Sequence, residues 1–178
     1  MTISPERLVF LDESGVTVGM TRRFGRCLGG RRLHEGTPQS RWKVLTILGA
    51  MSLRGMIATM TIEAATDTDI FLTYVDRVLC PALRPGDIVV MDNLSSHKVQ
   101  GVRALIQAAG ADVLYLPPYS PDLNPIEKAW SKLKQMLRSA KAQTSEDLYQ
   151  TIRQALPSIS TENAAAWFRT YQDWVQLS

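Results

Sequence analysis

The chain has 178 residues, of which 45% are hydrophobic and 21% are charged. This is the composition of one ordinary globular domain, and it excludes disordered and fibrous proteins. The uncharged apolar stretch over residues 44–53 is at most half a membrane span, and the N-terminus does not resemble a signal peptide. Cys27 and Cys80 fit no metal or redox spacing. We therefore expect a cytoplasmic protein without a membrane segment.

The net charge of +3 comes from 20 basic and 17 acidic residues, and its distribution is uneven. Residues 22–43 hold seven basic side chains and one acidic side chain, Glu35. A second basic cluster contains Lys128, Lys132, Lys134, Arg138 and Lys141. Such patches suit a polyanion such as nucleic acid, but a solvated loop and a solvated helix face explain them equally well.

The first part of the chain reads as strands in hairpins. A short apolar run over residues 7–12 predicts a strand that ends in a turn at Asp-Glu-Ser-Gly, and residues 16–20 are expected to return as its hairpin partner. Residues 24–40, rich in Gly and Arg, predict a loop. The β-branched segments 43–53 and 55–62 predict a second hairpin.

The second part alternates helices and strands before it becomes helical. A helix is predicted over 66–83, with Thr66 or Asp67 as its cap, followed by a strand over 87–92, a helix over 99–109 and a strand over 112–116. A proline-rich loop is predicted over 117–125. Helices are predicted over 125–177, with breaks near 142–145 and 157–161. This order predicts an α/β fold with a mixed sheet, antiparallel on one side and parallel on the other, covered by helices.

Three acidic residues stand out by their positions. Asp12 and Asp92 each follow an apolar strand, and Glu127 lies at the start of the helix after the proline-rich loop. Ligand sites in open α/β sheets form beyond the carboxyl ends of strands. Carboxylates gathered there raise each other's pKa or attract a cation, and oxygen-only ligands favour Mg²⁺ or Mn²⁺. Two such ions about 3.5–4 Å apart can promote phosphodiester chemistry.

Each of these acids also has a structural explanation. Asp12 and Asp92 lie in sequences that favour turns. Asn124, Pro125 and Glu127 form a capping-box pattern in which Asn124 is the N-cap and Glu127 is the third helical residue. Only the combination of the three acids favours a metal-binding site over these structural explanations.

The helix after the loop has one apolar face and several basic positions. The apolar face, at three- and four-residue spacing, contains Ile126, Ala129, Trp130, Leu133 and Leu137. Trp130 is expected in the core rather than as a platform for base stacking. Lys128, Lys132 and Lys134 lie towards other faces, where they could reach phosphates.

Three motifs together resemble the catalytic domain of mariner-like DDE transposases, with the bacterial insertion-sequence members as the nearest group. They are LDESG at residues 11–15, MDNLSSHK at 91–98 and LPPYSPDLNPIEKAWSKLK at 116–134. Between Asp92 and Glu127 lie 34 residues, as in the Asp-Asp-Glu pattern of that family. The third motif is the most diagnostic.

The resemblance implies an RNase H-like mixed five-stranded sheet flanked by helices. It also implies that Asp12, Asp92 and Glu127 hold two divalent metal ions, Mg²⁺ or Mn²⁺. Members of the family hydrolyse the phosphodiester at a transposon end and use the freed 3′-hydroxyl to attack target DNA. Asn93 and His97 match positions of the second motif and are expected to support the site.

Double-stranded DNA is the partner that this resemblance implies. The residues expected to contact it are Arg22, Arg23, Arg31, Arg32, Lys128, Lys132 and Lys134. Pairing of two transposon ends favours a homodimer during the reaction, and the expected location is the nucleoid in the cytoplasm.

The chain departs from the family pattern at its start. The first catalytic strand begins near Arg7, so we expect a single catalytic domain over 1–178 without the usual helix-turn-helix region. The expected explanations are an excised fragment or the second product of a split reading frame, with a separate N-terminal DNA-binding polypeptide.

Two alternative functions remain at the level of sequence. One is another RNase H-like nuclease, such as a resolvase or a ribonuclease, which the proline motif and the 34-residue spacing disfavour. The other is a non-catalytic DNA-binding remnant of a transposase, which the presence of all three acids disfavours.

Overall fold

A computed structural model of the protein describes residues 3–21, 43–92, 100–117, 120 and 123–175. The strands are β1 (Leu8–Thr17), β2 (Val44–Ser52), β3 (Gly55–Ile62), β4 (Ile88–Met91) and β5 (Asp112–Tyr115). The helices are α1 (Thr68–Tyr74), α2 (Gln100–Ala108), α3 (Ile126–Ala140), α4 (Ser145–Ala155) and α5 (Thr161–Val175). Short helical turns cover Pro5–Arg7, Val75–Leu79, Cys80–Ala82 and Leu156–Ser158.

The five strands form one mixed sheet in the order β3-β2-β1-β4-β5. β1 lies at the centre, antiparallel to β2 and parallel to β4, and β4 is parallel to β5. β2 and β3 are antiparallel and form the predicted second hairpin. The expectation of a mixed five-stranded sheet flanked by helices is therefore confirmed.

β1 differs from its prediction. It runs without interruption through the Asp-Glu-Ser-Gly segment, so the predicted turn there and the predicted return strand over 16–20 are wrong. The reason is long-range pairing, since β2 pairs with β1 over the whole stretch from Phe10 to Thr17, and Gly15 lies opposite Thr46. A strand from later in the chain thus supplies the hydrogen bonds that a local hairpin would have supplied.

The elements after β3 follow the sequence pattern closely. Asp67 caps α1 by accepting a hydrogen bond from the backbone N–H of Ile70 at 2.8 Å, and helical structure continues to Ala82. Gly110, with a φ of 82°, follows the end of α2 in the left-handed conformation that glycine adopts easily. The predicted breaks among the C-terminal helices separate α3, α4 and α5.

Two apolar layers cover the sheet. On β1, Phe10 and Val16 face a layer that includes α3, α4 and α5, whereas Val9 and Leu11 face a layer that includes α1 and α2. This alternation buries both faces of the central strand. Among the residues that the structure describes, no helix is long and apolar enough to cross a membrane.

α5 is held against the central strand by an aromatic pair. The rings of Phe10 and Phe168 have centroids 5.2 Å apart and an interplanar angle of 86°, and both side chains are buried. We expect Phe10→Ala and Phe168→Ala each to lower the free energy of unfolding by about 3–5 kcal/mol in urea titrations. In a double-mutant cycle the two should couple by about 0.5–1.5 kcal/mol.

Leu114→Ala is the control for this pair, because Leu114 is 41% exposed on the edge strand β5 and its loss should change stability by about 0.5 kcal/mol or less. Strict additivity of the two phenylalanine variants would contradict the docking of α5 on β1.

Candidate active site

Two adjacent parallel strands bring the first two acids to the same level of the sheet. β1 and β4 pair with Phe10 opposite Val90, and β4 ends at Met91. Continuing that register brings Asp12 level with Asp92. Asp12 was predicted at the end of its own strand, which is wrong, because β1 continues to Thr17. The strand that ends at this level is its neighbour β4, so the predicted adjacency of the two acids is nevertheless found.

Asp12 points towards α3. Its carboxylate oxygen Oδ2 accepts a hydrogen bond of 3.0 Å from the indole Nε1 of Trp130, and both side chains are buried. On β4, Ile88 and Val90 pack in the same layer, so the alternation of strand side chains directs the next even position, Asp92, to that face as well.

Glu127 lies in the first turn of α3 with an exposed side chain. The predicted capping box is wrong. The N-cap is Pro125 and no side chain caps this turn, while the backbone N–H of Glu127 donates to the carbonyl oxygen of Asn124 at 3.1 Å. Among the described residues Asn124 Oδ1 is buried without a hydrogen-bond partner. Glu127 therefore lies one position earlier in the helix than the capping pattern requires.

The three carboxylates influence one another electrostatically. Burial, together with the negative charges of Glu127 and Asp92, raises the pKa of Asp12 from 3.8 to about 7. Hydrogen bonds from the backbone N–H of Glu13 and from Trp130 lower this pKa but are too weak to compensate. The site thus brings the negative charges of Asp92 and Glu127 close to a buried carboxyl group.

This donor set fits a divalent metal ion. The donors are all carboxylate oxygens, which Mg²⁺ and Mn²⁺ prefer, and a cation would remove the repulsion that helps to raise the pKa of Asp12. Within the described part of the chain, no three His, Cys, Asp or Glu side chains already stand close enough together to hold a metal ion. The carboxylates are therefore neighbours at one edge of the sheet rather than a closed set of ligands.

The predicted basic contacts on α3 divide into two kinds. Lys128 is exposed and Lys134 is half-buried. The ammonium of Lys132 instead donates to the carbonyl oxygen of Ser158 at 2.6 Å and to Oδ1 of Asn163 at 2.7 Å. Lys132 therefore joins α3 to the start of α5, and the structure does not favour it as a phosphate contact.

Several predicted site residues lie outside the described part of the chain. They are Arg22, Arg23, Arg31, Arg32, Asn93 and His97.

Two residues of the site were missed by the sequence analysis. Trp130 was predicted as a core residue, which is confirmed, but its hydrogen bond to Asp12 was not predicted. The usable signal was that a buried tryptophan needs an acceptor for its N–H. Gly49 lies opposite Asp12 on β2 against the Trp130 ring, and no local pattern marks it.

The raised pKa of Asp12 predicts how the stability of the metal-free protein depends on pH. Because the pKa is higher in the folded state than in the unfolded state, the charge of Asp12 carries no cost while both states are protonated, at pH values well below the unfolded pKa of 3.8. The cost grows as the pH rises and is complete above about pH 7, where a shift of this size corresponds to on the order of 4 kcal/mol.

Asp12→Asn should remove this cost while keeping an oxygen acceptor for Trp130. We expect the stability advantage of the variant over the wild type to be largest at pH 8 and to shrink steadily as the pH falls towards the unfolded pKa of 3.8, as measured by urea unfolding in EDTA. A difference in stability that does not change with pH would contradict the electrostatic origin.

The fold is similar to that of solved transposase structures. The catalytic domain of the Mos1 mariner transposase matches with a TM-score of 0.72 at 16% identity, over 94% of this chain and 78% of that one. The Mos1 mariner paired-end complex with Mn matches with a TM-score of 0.76 at 18% identity, over 95% and 54% of the two chains. The Mos1 strand transfer complex gives a TM-score of 0.71 at 19% identity, over 96% and 53%.

These similarities confirm the expected RNase H-like fold. The chain spans about half the length of the Mos1 chains in the paired-end complex and the strand transfer complex.

The family comparison covers most of the chain and all three acids. The model of the DDE superfamily endonuclease family matches residues 7–149. No curated protein matches the chain. The matched region begins just before β1 and extends into α4, so it contains β1, β4 and the first turn of α3, which carry Asp12, Asp92 and Glu127. The chain therefore belongs to the DDE superfamily of endonucleases.

Proposed function

We propose that this chain is the catalytic domain of a mariner-like DDE transposase. It hydrolyses the phosphodiester at transposon ends and joins the freed 3′-hydroxyl to target DNA. The observation that carries the proposal is the placement of the three acids. Asp12 is buried on β1 beside the end of β4, which Asp92 follows, and Glu127 lies on α3, the helix whose Trp130 donates a hydrogen bond to Asp12. Membership of the bacterial insertion-sequence group stays a prediction.

Asp12, Asp92 and Glu127 are the residues that would hold the two Mg²⁺ or Mn²⁺ ions. When bound, such ions activate the attacking oxygen and stabilise the leaving oxygen of a phosphodiester. With such ions bound, the Asp12 carboxyl would be held in its ionised form, because a neighbouring positive charge favours the carboxylate. Metal binding is therefore expected to release protons near neutral pH.

The protein residues around the acids have distinct tasks. The sheet buries Asp12, so few waters compete for its oxygens. Glu127 extends from the exposed first turn of α3, where DNA can approach it. Asn93 and His97 are proposed to support the reaction from the segment after β4.

Double-stranded DNA is the proposed substrate, bound mainly through its phosphates. On α3 the proposed contacts are Lys128 and Lys134, because Lys132 is engaged by Ser158 and Asn163. The other proposed contacts are Arg22, Arg23, Arg31 and Arg32. Specific recognition of ends by a separate N-terminal polypeptide, pairing of two copies as a homodimer, and action at the nucleoid are further parts of this proposal.

Substitution of the acids tests the chemistry. We expect Asp92→Asn and Glu127→Gln each to abolish nicking of supercoiled plasmid in Mg²⁺ or Mn²⁺, because each removes one carboxylate from the proposed ligand set. Binding of the same DNA, measured by fluorescence anisotropy in EDTA, should stay unchanged. The matched control is Asp69→Asn, which removes an exposed carboxylate in the first turn of α1.

Joining of DNA strands separates transposition from hydrolysis. Incorporation of a labelled oligonucleotide with a free 3′-hydroxyl into a target plasmid would favour a transposase, whereas nicking without joining would favour another RNase H-like nuclease. DNA binding with neither reaction would contradict the proposal in favour of a non-catalytic remnant.

The salt dependence of DNA binding tests the lysines of α3 that are proposed to contact phosphates. If Lys128 and Lys134 each neutralise one phosphate, replacing both with alanine should reduce the slope of log Kd against log salt concentration by about 1 for each lysine removed. Lys132→Ala is the control, because it should leave that slope unchanged and lower the free energy of unfolding instead. An equal change of slope in the control would contradict the division of the three lysines.

A further inference from the structure

The hydrogen bond between Trp130 and Asp12 joins α3 to β1, the two elements that carry Glu127 and Asp12 and that the proposed reaction needs in a fixed relative position. Trp130 and Glu127 are three residues apart on α3, so both side chains lie near the same side of its first turns. Asp12 lies on β1, 118 positions earlier than Trp130 in the chain. Fixing the indole to Asp12 therefore also limits where α3 can present Glu127.

Gly49 provides the space in which the indole lies. It pairs with Asp12 across the β1–β2 ladder. A Cβ atom at Gly49 would lie 2.5 Å from Cη2 and 3.0 Å from Cζ2 of Trp130, and 2.8 Å from Cε of Met56. Since Gly49 does not have a positive φ, its backbone conformation does not require glycine. Glycine is required at this position because the Trp130 ring approaches it closely.

The Asp12 carboxylate has more lone pairs than its hydrogen bond to Trp130 uses. A carboxylate offers about four lone-pair sites. The indole of Trp130 occupies one of them on Asp12. The carboxylate is thus tied to α3 while it keeps acceptor capacity for further donors or for a cation.

We propose that Trp130 is a positioning residue that orients the Asp12 carboxylate for the metal site, and that Gly49 is required because it admits the Trp130 ring. This inference rests on the proposed function, since it treats Asp12 as a metal ligand whose orientation affects metal binding. The hydrogen bond acts on Asp12 and on the placement of Glu127; Trp130 itself does not touch the reacting atoms.

The test measures Mn²⁺ affinity without turnover, by electron paramagnetic resonance of free Mn²⁺ in the absence of DNA. Trp130→Phe keeps an aromatic ring and removes the donor, so Mn²⁺ affinity should fall by roughly 10–100-fold, the usual effect of losing a partner that orients a ligand. Trp167→Phe is the matched control, because Trp167 packs against the same core from α5 and should leave the affinity unchanged.

Gly49→Ala tests the space for the ring. Alone it should weaken Mn²⁺ binding, because the new methyl group displaces the indole from Asp12. Combined with Trp130→Phe it should add little further loss, because a phenyl ring lacks the Cη2 and Cζ2 atoms that the methyl group meets. Far-UV circular dichroism of each variant checks that the fold is retained.

The possible outcomes separate this inference from the proposed function. If Asp12→Asn abolishes Mn²⁺ binding and DNA cleavage but Trp130→Phe leaves the affinity unchanged, the positioning role is wrong and the proposed function stands. Equal losses for Trp130→Phe and Trp167→Phe, or full additivity with Gly49→Ala, would also overturn it. Absence of Mn²⁺ binding by the wild type would reject both proposals.

Discussion

Burial of one carboxylate on the central strand is the constraint from which the site follows. Asp12 is 9% exposed, and it lies on the strand whose two faces carry the apolar core. A buried charge is unfavourable unless partners compensate it. Trp130 supplies a hydrogen bond of 3.0 Å, yet burial keeps the pKa of Asp12 raised to about 7. Because the ionised form of Asp12 remains unfavourable, a cation bound beside it would stabilise the carboxylate.

The two parallel strands beside this carboxylate differ in length. β1 has ten residues, but its parallel neighbour β4 has four and pairs with only the first part of β1. From Leu11 onward, β1 is paired on its other side with β2. β1 therefore continues past the level at which β4 stops, and ligand sites of α/β sheets form at such carboxyl ends of strands. Asp92 follows the end of the short strand, and Asp12 lies within the long one.

Features that depend on local pattern could be predicted from the sequence, and features that depend on long-range pairing could not. The apolar period of α3 placed Trp130 in the core, and the apolar run before Asp92 predicted β4. The turn predicted after Asp12 failed because β2, more than 25 residues later, pairs with that segment. The significance of Gly49 depends on a ring from α3 that only the folded chain brings near.

The capping pattern failed for a different reason. Asn124 and Glu127 have the residue types of a capping box, but helix α3 begins one residue later than that box requires, with Pro125 as N-cap. A shift of one position changes which backbone N–H groups a side chain can reach. Residue types alone did not fix the register of the first turn, although they located the helix to within one residue.

α3 links the site to helices that the sequence motifs do not include. Lys132 binds Ser158 and Asn163, which lie just before and at the start of α5. From the same helix, Phe168 packs on Phe10, two residues from Asp12. The family match ends at residue 149, before α5 begins. Since α5 holds both α3 and β1, it stabilises the two elements that carry Glu127 and Asp12, although it contributes no acid of its own. The geometry of the site is thus a property of the whole fold, because the motifs supply the carboxylates and the C-terminal helix helps to hold them at the same edge of the sheet.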